Sequence, residues 1–438
     1  MGVLNNIEMQ GGVLTPLKCS VQMDTLGADC LNSVEHSRIL YKYKGVVKIP
    51  PLEFVDDILT VTDCSINSIK MNALVQSKVE CKKLELSDTK CFKMHIGKDT
   101  INCPNLEVNG KPMQVARTEK YLGDVVSCSG KNEENIQMRH DKEMGIVNSI
   151  KRILKEISFG QHYFEIGMML RTSMLVNGML YNIESMNNPS TLQINQLEDC
   201  DKQFMRRLFD AEQGTPVEAF YLETSAWPFR HILMGRKLMY FWTLLNKSET
   251  ELVKSVFDAQ CEFPSKGCWI SEVKDILKSC KIYHTNEEIR KLSKIKFKNL
   301  VKEKIQIKVM SYLVTLQNKH KKTENLHLES EMQKYLISSD ISLTQKKFLF
   351  KLRSKMLKIK ANFSSMHGDI LTCSMCRGLD TTESEFHLLR CPFLQKNESL
   401  KNEMTKIEFS DVYLDISKQI KVVRVFTKIM DIYEKKKD

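Results

Sequence analysis

Glycine and proline are scarce, 18 and 10 residues in a chain of 438, and the scarcity predicts long regular elements. Long apolar runs are missing too. The longest, Ile166 to Tyr181, is broken by Arg171 and Asn177 and falls short of the roughly 20 apolar residues that a membrane span needs. The opening residues, Met1 to Gln10, have neither the basic start nor the apolar centre of a secretory leader, and Asn6 stands where a myristoylation signal carries Ser or Thr. An intracellular chain with no membrane partner is the expectation. No internal repeat or low-complexity tract is found.

Apolar residues at 42% and charged residues at 27% fit a folded globular chain, and at roughly 100 to 200 residues per domain the length allows two to four domains. Lys and Arg number 65 against 54 Asp and Glu, and this formal charge of +11 favours a polyanionic partner without naming one. The 14 cysteines fall at irregular intervals with no leader ahead of them, so most are expected as small core residues without a disulfide framework.

Up to about Ser129 the chain reads as mixed strand and helix. Lys44 to Ile49 and Phe54 to Val61 are β-rich runs separated by Pro50 and Pro51, and Asn109-Gly110 between Leu106–Val108 and Met113–Val115 is a type I′ hairpin signal. Leu17 to Leu31 and Cys64 to Leu84 are more helical in pattern. From Asn132 onward helical periodicity takes over. Ser190 precedes Ile194, Leu197, Phe204 and Leu208 at one-face spacing. Thr215-Pro216-Val217-Glu218, Thr285 to Glu288 and Ser342 to Gln345 each read as a capping box; the last opens a helix with Leu349, Leu352, Met356 and Ile359 on its apolar side.

Phe54-Val55-Asp56-Asp57 places two adjacent carboxylates at a bend between short strands. Such a pair suits a hard divalent cation, because Mg²⁺ takes carboxylate oxygens together with water and substrate phosphates; a solvated Asp-Asp turn is the plainer alternative. Gln10-Gly11-Gly12-Val13-Leu14-Thr15-Pro16-Leu17 lies upstream, and Leu84 to Cys91 and Lys120-Tyr121-Leu122-Gly123 lie downstream. In this order and spacing the four segments resemble the later palm motifs of non-LTR (LINE-type) retrotransposon reverse transcriptases. The resemblance implies that Gln10 and Gly11 contact template and incoming nucleotide. It also implies that Asp56 and Asp57 are catalytic metal ligands, that Lys90 is the basic residue of the next motif, and that Tyr121 and Gly123 belong to the primer grip.

The resemblance continues through Thr215 to Arg230 and ends with a cysteine cluster, and it is weakest between about Glu249 and Asp340. The family's first palm motif brings a further metal-binding Asp well upstream of the Gln-Gly box, yet no Asp precedes Asp24 here. Phosphoryl transfer by two metal ions needs carboxylates that bridge both ions, which Asp56 and Asp57 alone do not supply. Asp24, Asp29, Glu53 and Asp63 are conceivable substitutes with an ordinary surface reading, and a helix after Pro16 is expected to carry Asp24 away from the hairpin.

Cys373-x2-Cys376-x10-His387-x3-Cys391 supplies three thiols and an imidazole, a donor set for tetrahedral structural Zn²⁺. Three chance cysteines beside a histidine are the alternative, against which stand the Cys-x2-Cys spacing and the terminal cysteine-histidine motif of the resembled family. Lys347, Lys351, Lys355 and Lys358 fall at helical intervals and predict one basic face, either simply solvated or tracking phosphates beside the zinc module. Lys319, Lys321 and Lys322 around His320 read as a loop. Cys91 and His95, four apart, lack a further pair of ligands.

The expected architecture is α+β. A truncated reverse-transcriptase palm (1–130) precedes a helical thumb-like region (131–250) and a helical connection region (251–362). A CCHC zinc knuckle (363–400) and a helical tail (401–438) follow. By the resemblance the family activity is RNA-directed DNA synthesis at a nicked target, in the nucleus, with RNA and DNA as partners, structural Zn²⁺, and Mg²⁺ only where a complete polymerase site forms. Without the first metal-binding Asp the chain alone is expected to be inactive. The rival readings are a non-catalytic nucleic-acid-binding remnant, and an unrelated helical interaction protein with a structural zinc site. A missing N-terminal polymerase part is a further possible partner.

Overall fold

A computed structural model describes residues 26–436 apart from Val55, 98–102, 160–161, 364–370 and 379–380. Gln10, Gly11 and Asp24 lie outside the described residues. The fold mixes strand and helix, with helix predominating, and the described strands associate only in pairs. They are β1 (Tyr41–Tyr43), β2 (Val47–Ile49), β3 (Leu52–Phe54), β4 (Asp57–Leu59), β5 (Phe92–Lys93), β6 (Glu107–Val108), β7 (Lys111–Pro112), β8 (Gln114–Val115), β9 (Thr118–Tyr121) and β10 (Asp124–Ser127). β5 and β8 pair in parallel; β1–β2, β3–β4, β6–β7 and β9–β10 are antiparallel. No continuous palm-like sheet forms among the described residues.

The Lys44 to Ile49 run folds differently from the single strand read in the sequence, whereas the bend expected between short strands at Asp56 is present. Lys44 and Gly45 take positive φ, so Lys44 to Val46 is a turn returning β1 onto β2, and the Phe54 to Val61 run doubles back at Asp56. Asn109-Gly110 does form its hairpin: φ is +52° and +73°, the two left-handed residues that a type I′ turn needs, with Val108 opposite Lys111.

The chain divides into two compact units, one built from residues up to Met138, Ser185–Pro189 and Lys237–Phe297, the other from Arg139–Glu184, Ser190–Arg236 and Lys298 onward. The expected thumb-like and connection segments therefore each contribute to both units. In the first, the Ser65–Cys81 helix buries Met71, Val75 and Val79, four residues apart on one face, against Leu26, Cys30, Ile39 and Leu40. Full burial stabilises by about 1.5–3 kcal/mol per large apolar side chain.

The second unit is centred on Phe164, Phe209, Phe220 and Phe350, whose ring centroids lie 4.3 to 5.5 Å apart. Two buried ion pairs flank this core. Arg171, the cation that interrupts the longest apolar run, holds both carboxylate oxygens of Asp201 at 2.6 and 2.8 Å, and Tyr221 donates to the same group at 3.0 Å. Arg353 donates to Glu223 at 2.8 Å and to the Val412 carbonyl at 2.6 Å. Removing one partner of such a pair strands the other charge in the interior, at a cost of about 3–5 kcal/mol. No described helix is long and apolar enough to cross a membrane.

The capping boxes of Ser190, Thr285 and Ser342 form, each with reciprocal side-chain bonds to the residue three positions on. The one read at Thr215 does not. Pro216 takes the N-cap position of the Val217–Thr224 helix, and Glu218 turns away to accept from His320 Nδ1 at 2.8 Å and Thr323 Oγ1 at 3.2 Å.

Candidate metal centre

Residues 371–391 bring the four expected donors together. An isolated antiparallel bridge joins Thr372 to Thr382, flanked by Cys373 N–H donating to Thr381 O at 2.9 Å and Glu383 N–H donating to Leu371 O at 2.7 Å. This small clasp sets the Cys-x2-Cys turn against the segment carrying His387. Arg377 takes the left-handed conformation at the end of the turn, φ +53°, while Gly378 provides room: a Cβ there would lie 3.2 Å from the Thr381 methyl. Ser384 caps the short Glu385–Leu388 helix by accepting from His387 N–H, and Cys391 follows just beyond that helix, buried.

One ligand atom from each of Cys373, Cys376, His387 and Cys391 lies within 4.8 Å of all the others. Cys373 and Cys391 sulfurs are 4.0 Å apart, and Cys376 Sγ is 3.4 Å from His387 Nε2. A tetrahedron with Zn–S legs of about 2.3 Å and a Zn–N leg of about 2.0 Å has edges of roughly 3.5–3.8 Å, close to the two shortest separations, so a small contraction of the group would let it hold a metal such as zinc. Burial pushes the Cys373 thiol up to about 12 and raises Cys391 as well. Cys376 is less buried, and the Gly378 amide, Thr381 hydroxyl and His387 ring outweigh its desolvation, lowering it to about 6. A divalent cation offsets the desolvation of the two buried thiols by holding them as thiolates.

Glu383, which sequence reading passed over, braces this loop. Fully buried, it accepts from the Ser374 amide at 2.7 Å, the Lys360 amide at 3.1 Å and the Tyr433 hydroxyl at 2.5 Å. Burial works against its charge, yet the Tyr433 and Ser374 bonds keep its carboxyl below the ordinary glutamate range. Lys436 donates to the Met375 carbonyl at 2.5 Å, inside the Cys-x2-Cys turn. The Ile416–Lys435 helix is thus tied to the ligand loop by its last turn. A carboxylate four residues before His387 was the only local hint.

Asp56 lies in the tight turn between β3 and β4, and Asp57 opens β4 opposite Phe54; both are exposed. Tyr121 ends β9, next to a turn in which Leu122 and Gly123 have φ of +48° and +90°. Its hydroxyl reaches the Leu52 carbonyl of the Asp-Asp hairpin at 3.5 Å, and burial together with the Asp57 charge pushes its pKa up. Lys90 is exposed in a turn whose backbone bonds to Ser87. Asp29 pairs with Lys78 at 2.7 Å, Glu53 accepts from the Gly27 amide at 2.8 Å, and Asp63 accepts from Asn67 at 2.8 Å. Among the described residues, the Cys373, Cys376, His387 and Cys391 group is the one cluster of three or more metal-ligating side chains, and it includes none of these carboxylates.

The four-lysine face is corrected. The Leu343–Arg353 helix ends before Lys355, which takes φ +52°, so Lys355 and Lys358 leave the helix that carries Lys347 and Lys351. Each lysine also has company within the protein. Lys347 covers the Tyr163 ring at 4.9 Å, Lys351 stands 4.0 Å from Asp210, and Lys355 bonds Glu324 at 2.8 Å. Lys358 bonds Glu212 at 3.1 Å.

Comparison of the chain with protein-family models gives no match, and comparison with curated proteins gives none.

Proposed function

We propose that the chain is the C-terminal part of a LINE-type reverse-transcriptase-like protein that binds RNA and DNA in the nucleus, carries one structural Zn²⁺, and does not polymerise DNA by itself. The observation that carries this reading is the juxtaposition of two motifs read separately in the sequence: the Asp56-Asp57 hairpin and the Tyr-Leu-Gly turn, with Tyr121 against the Leu52 carbonyl. The ordered motifs and the positive charge support it further. Two Mg²⁺ ions and a triphosphate within a few ångströms need more bridging carboxylate than Asp56 and Asp57 provide, so catalysis would require a carboxylate from a separate polymerase segment. Zn²⁺ on Cys373, Cys376, His387 and Cys391 would act only to fold the loop, since four protein ligands leave no open position for a substrate.

The test is primer extension on an RNA template with Mg²⁺ or Mn²⁺, comparing the chain with Asp56→Ala, alongside binding of labelled RNA and DNA across a salt series. Binding that weakens steeply with salt and no extension by either protein is the expected result. Extension by the parent and not by Asp56→Ala would overturn the non-catalytic reading, and absence of binding at low salt would overturn the nucleic-acid reading.

A further inference from the structure

A cleft of about 530 Å³ in the second unit gathers Lys202, Arg206, Thr215, Val217, His320 and Lys322 among its walls. Lys202 and Arg206 are one turn apart on the Thr191–Phe209 helix, and Lys322 comes from a 3-10 turn more than a hundred residues later. Among the described residues none of these three cations has an acidic side chain within ion-pair distance. Arg206 donates to the Gln213 carbonyl at 3.2 Å and keeps a buried Nε–H with no partner. Lys322 lies 3.5 Å from the Met356 sulfur and 4.9 Å from the Phe363 ring. Burial pulls its ammonium down, opposed only in part by the charge of Glu385, a buried acid outside ion-pair distance that accepts from Asn362 at 2.6 Å.

The cleft also contains the start of the Val217–Thr224 helix, whose N-cap Pro216 has no side-chain acceptor to offer the first amides. Thr215 is 3% exposed, and its hydroxyl is buried without a hydrogen-bond partner. A buried, unsatisfied hydroxyl costs stability unless something bonds it. The nearby acids are engaged: Glu218 accepts from His320 and Thr323, Asp210 faces Lys351, and Glu212 bonds Lys358. Lys351, Lys355 and Lys358, from the face read as phosphate-tracking, therefore face acids of their own, leaving the cleft positive.

We infer that this cleft binds a phosphate group of a nucleic-acid strand, with Lys202, Arg206 and Lys322 supplying charge and the Thr215 hydroxyl and the helix N-terminus supplying hydrogen bonds. The inference rests on the nucleic-acid reading above and assigns it a place on the chain.

The experiment uses the full chain and three variants, Thr215→Val, Lys202→Gln and Lys322→Gln, each first shown by its melting curve to be folded. Thr215→Val keeps the side-chain shape and removes no bond within the protein. Binding of a labelled single-stranded RNA, and of its DNA counterpart, is measured by anisotropy across a salt series. Thr215→Val should weaken binding about tenfold with its salt slope unchanged, and each lysine variant should lower the slope by about one. Inorganic phosphate should raise the melting temperature of the parent and not of Thr215→Val. Parental affinity and slope in all three variants, or a phosphate shift retained by Thr215→Val, would overturn the cleft while leaving the nucleic-acid reading standing. No binding by the parent at low salt would end both.

Discussion

Glu383 shows how one side chain can organise a loop of candidate metal ligands without being one of them. Its two oxygens take bonds from the Ser374 amide inside the Cys-x2-Cys turn, from the Lys360 amide of a separate 3-10 turn and from the Tyr433 hydroxyl. Tyr433→Phe removes a hydroxyl bonded to a buried carboxylate and should cost about 1.5–3 kcal/mol in urea unfolding of the zinc-loaded protein. It should also weaken zinc binding about tenfold in a competition titration with a chromophoric chelator, because the turn loses its brace. His231 makes a different residue-scale case. It is buried against Tyr312, with centroids 5.1 Å apart, and desolvation aided by the Arg230 and Lys308 charges lowers its pKa from 6.5 to about 4. The unfolded chain therefore takes up this proton first as pH falls. Its contribution to stability is intact above pH 6.5 and is lost between 6.5 and 4, by up to about 3 kcal/mol. Unfolding at pH 7 and pH 4.5 should show this acid loss in the parent and a smaller one in His231→Leu.

At the scale of elements, local signals were readable where the local sequence alone decides the geometry. Ser342→Ala should cost about 1 kcal/mol by thermal unfolding, because its hydroxyl accepts from Gln345 N–H, whereas Thr215→Val should cost nothing in the absence of ligand. Equal losses would mean that Thr215 caps its helix after all. The same distinction explains what the sequence could and could not disclose. The Asn109-Gly110 turn and the capping boxes at Thr285 and Ser342 need only neighbours within a few residues and were legible; the box at Ser190 forms too, although only the helix face after it was read. The Thr215 box failed because His320 and Thr323, about a hundred residues on, claim Glu218. The Lys347 to Lys358 periodicity failed because the chain enters a left-handed conformation at a lysine, a residue that carries no turn signal, immediately after Arg353 is drawn to Glu223 and Val412. The zinc donors were legible as a spacing, but their brace at Tyr433 was not, since that bond spans 50 residues. The cleft was missed for the same reason, its cations coming from two distant segments.

For the molecule as a whole, the described strands are short pairs, and the two units rely on helix packing and on buried charge. Removing zinc should act on the second unit, to which residues 371–391 belong. A chelator strong enough to strip Zn²⁺ should expose the amides of this loop to hydrogen exchange, together with the last turn of the Ile416–Lys435 helix, while the amides of the Ser65–Cys81 helix keep their protection. Cys391→Ser should reproduce the pattern without chelator. Unchanged protection throughout would mean that the loop holds its shape without metal.

The bond between Glu383 and Tyr433 also has a consequence in time. The four ligands are all made by the time Cys391 is added, but the tyrosine that steadies the loop lies 50 residues beyond Glu383. At about 5–20 residues per second, synthesis of the 42 residues from Cys391 to Tyr433 takes roughly 2–8 s. During those seconds the nascent loop has its thiols but not its brace, and a metal ion captured then would be held more loosely than one bound after Tyr433 is in place. Thiol labelling of chains arrested on the ribosome before and after Tyr433 would measure the difference directly: in zinc, the earlier chains should label faster.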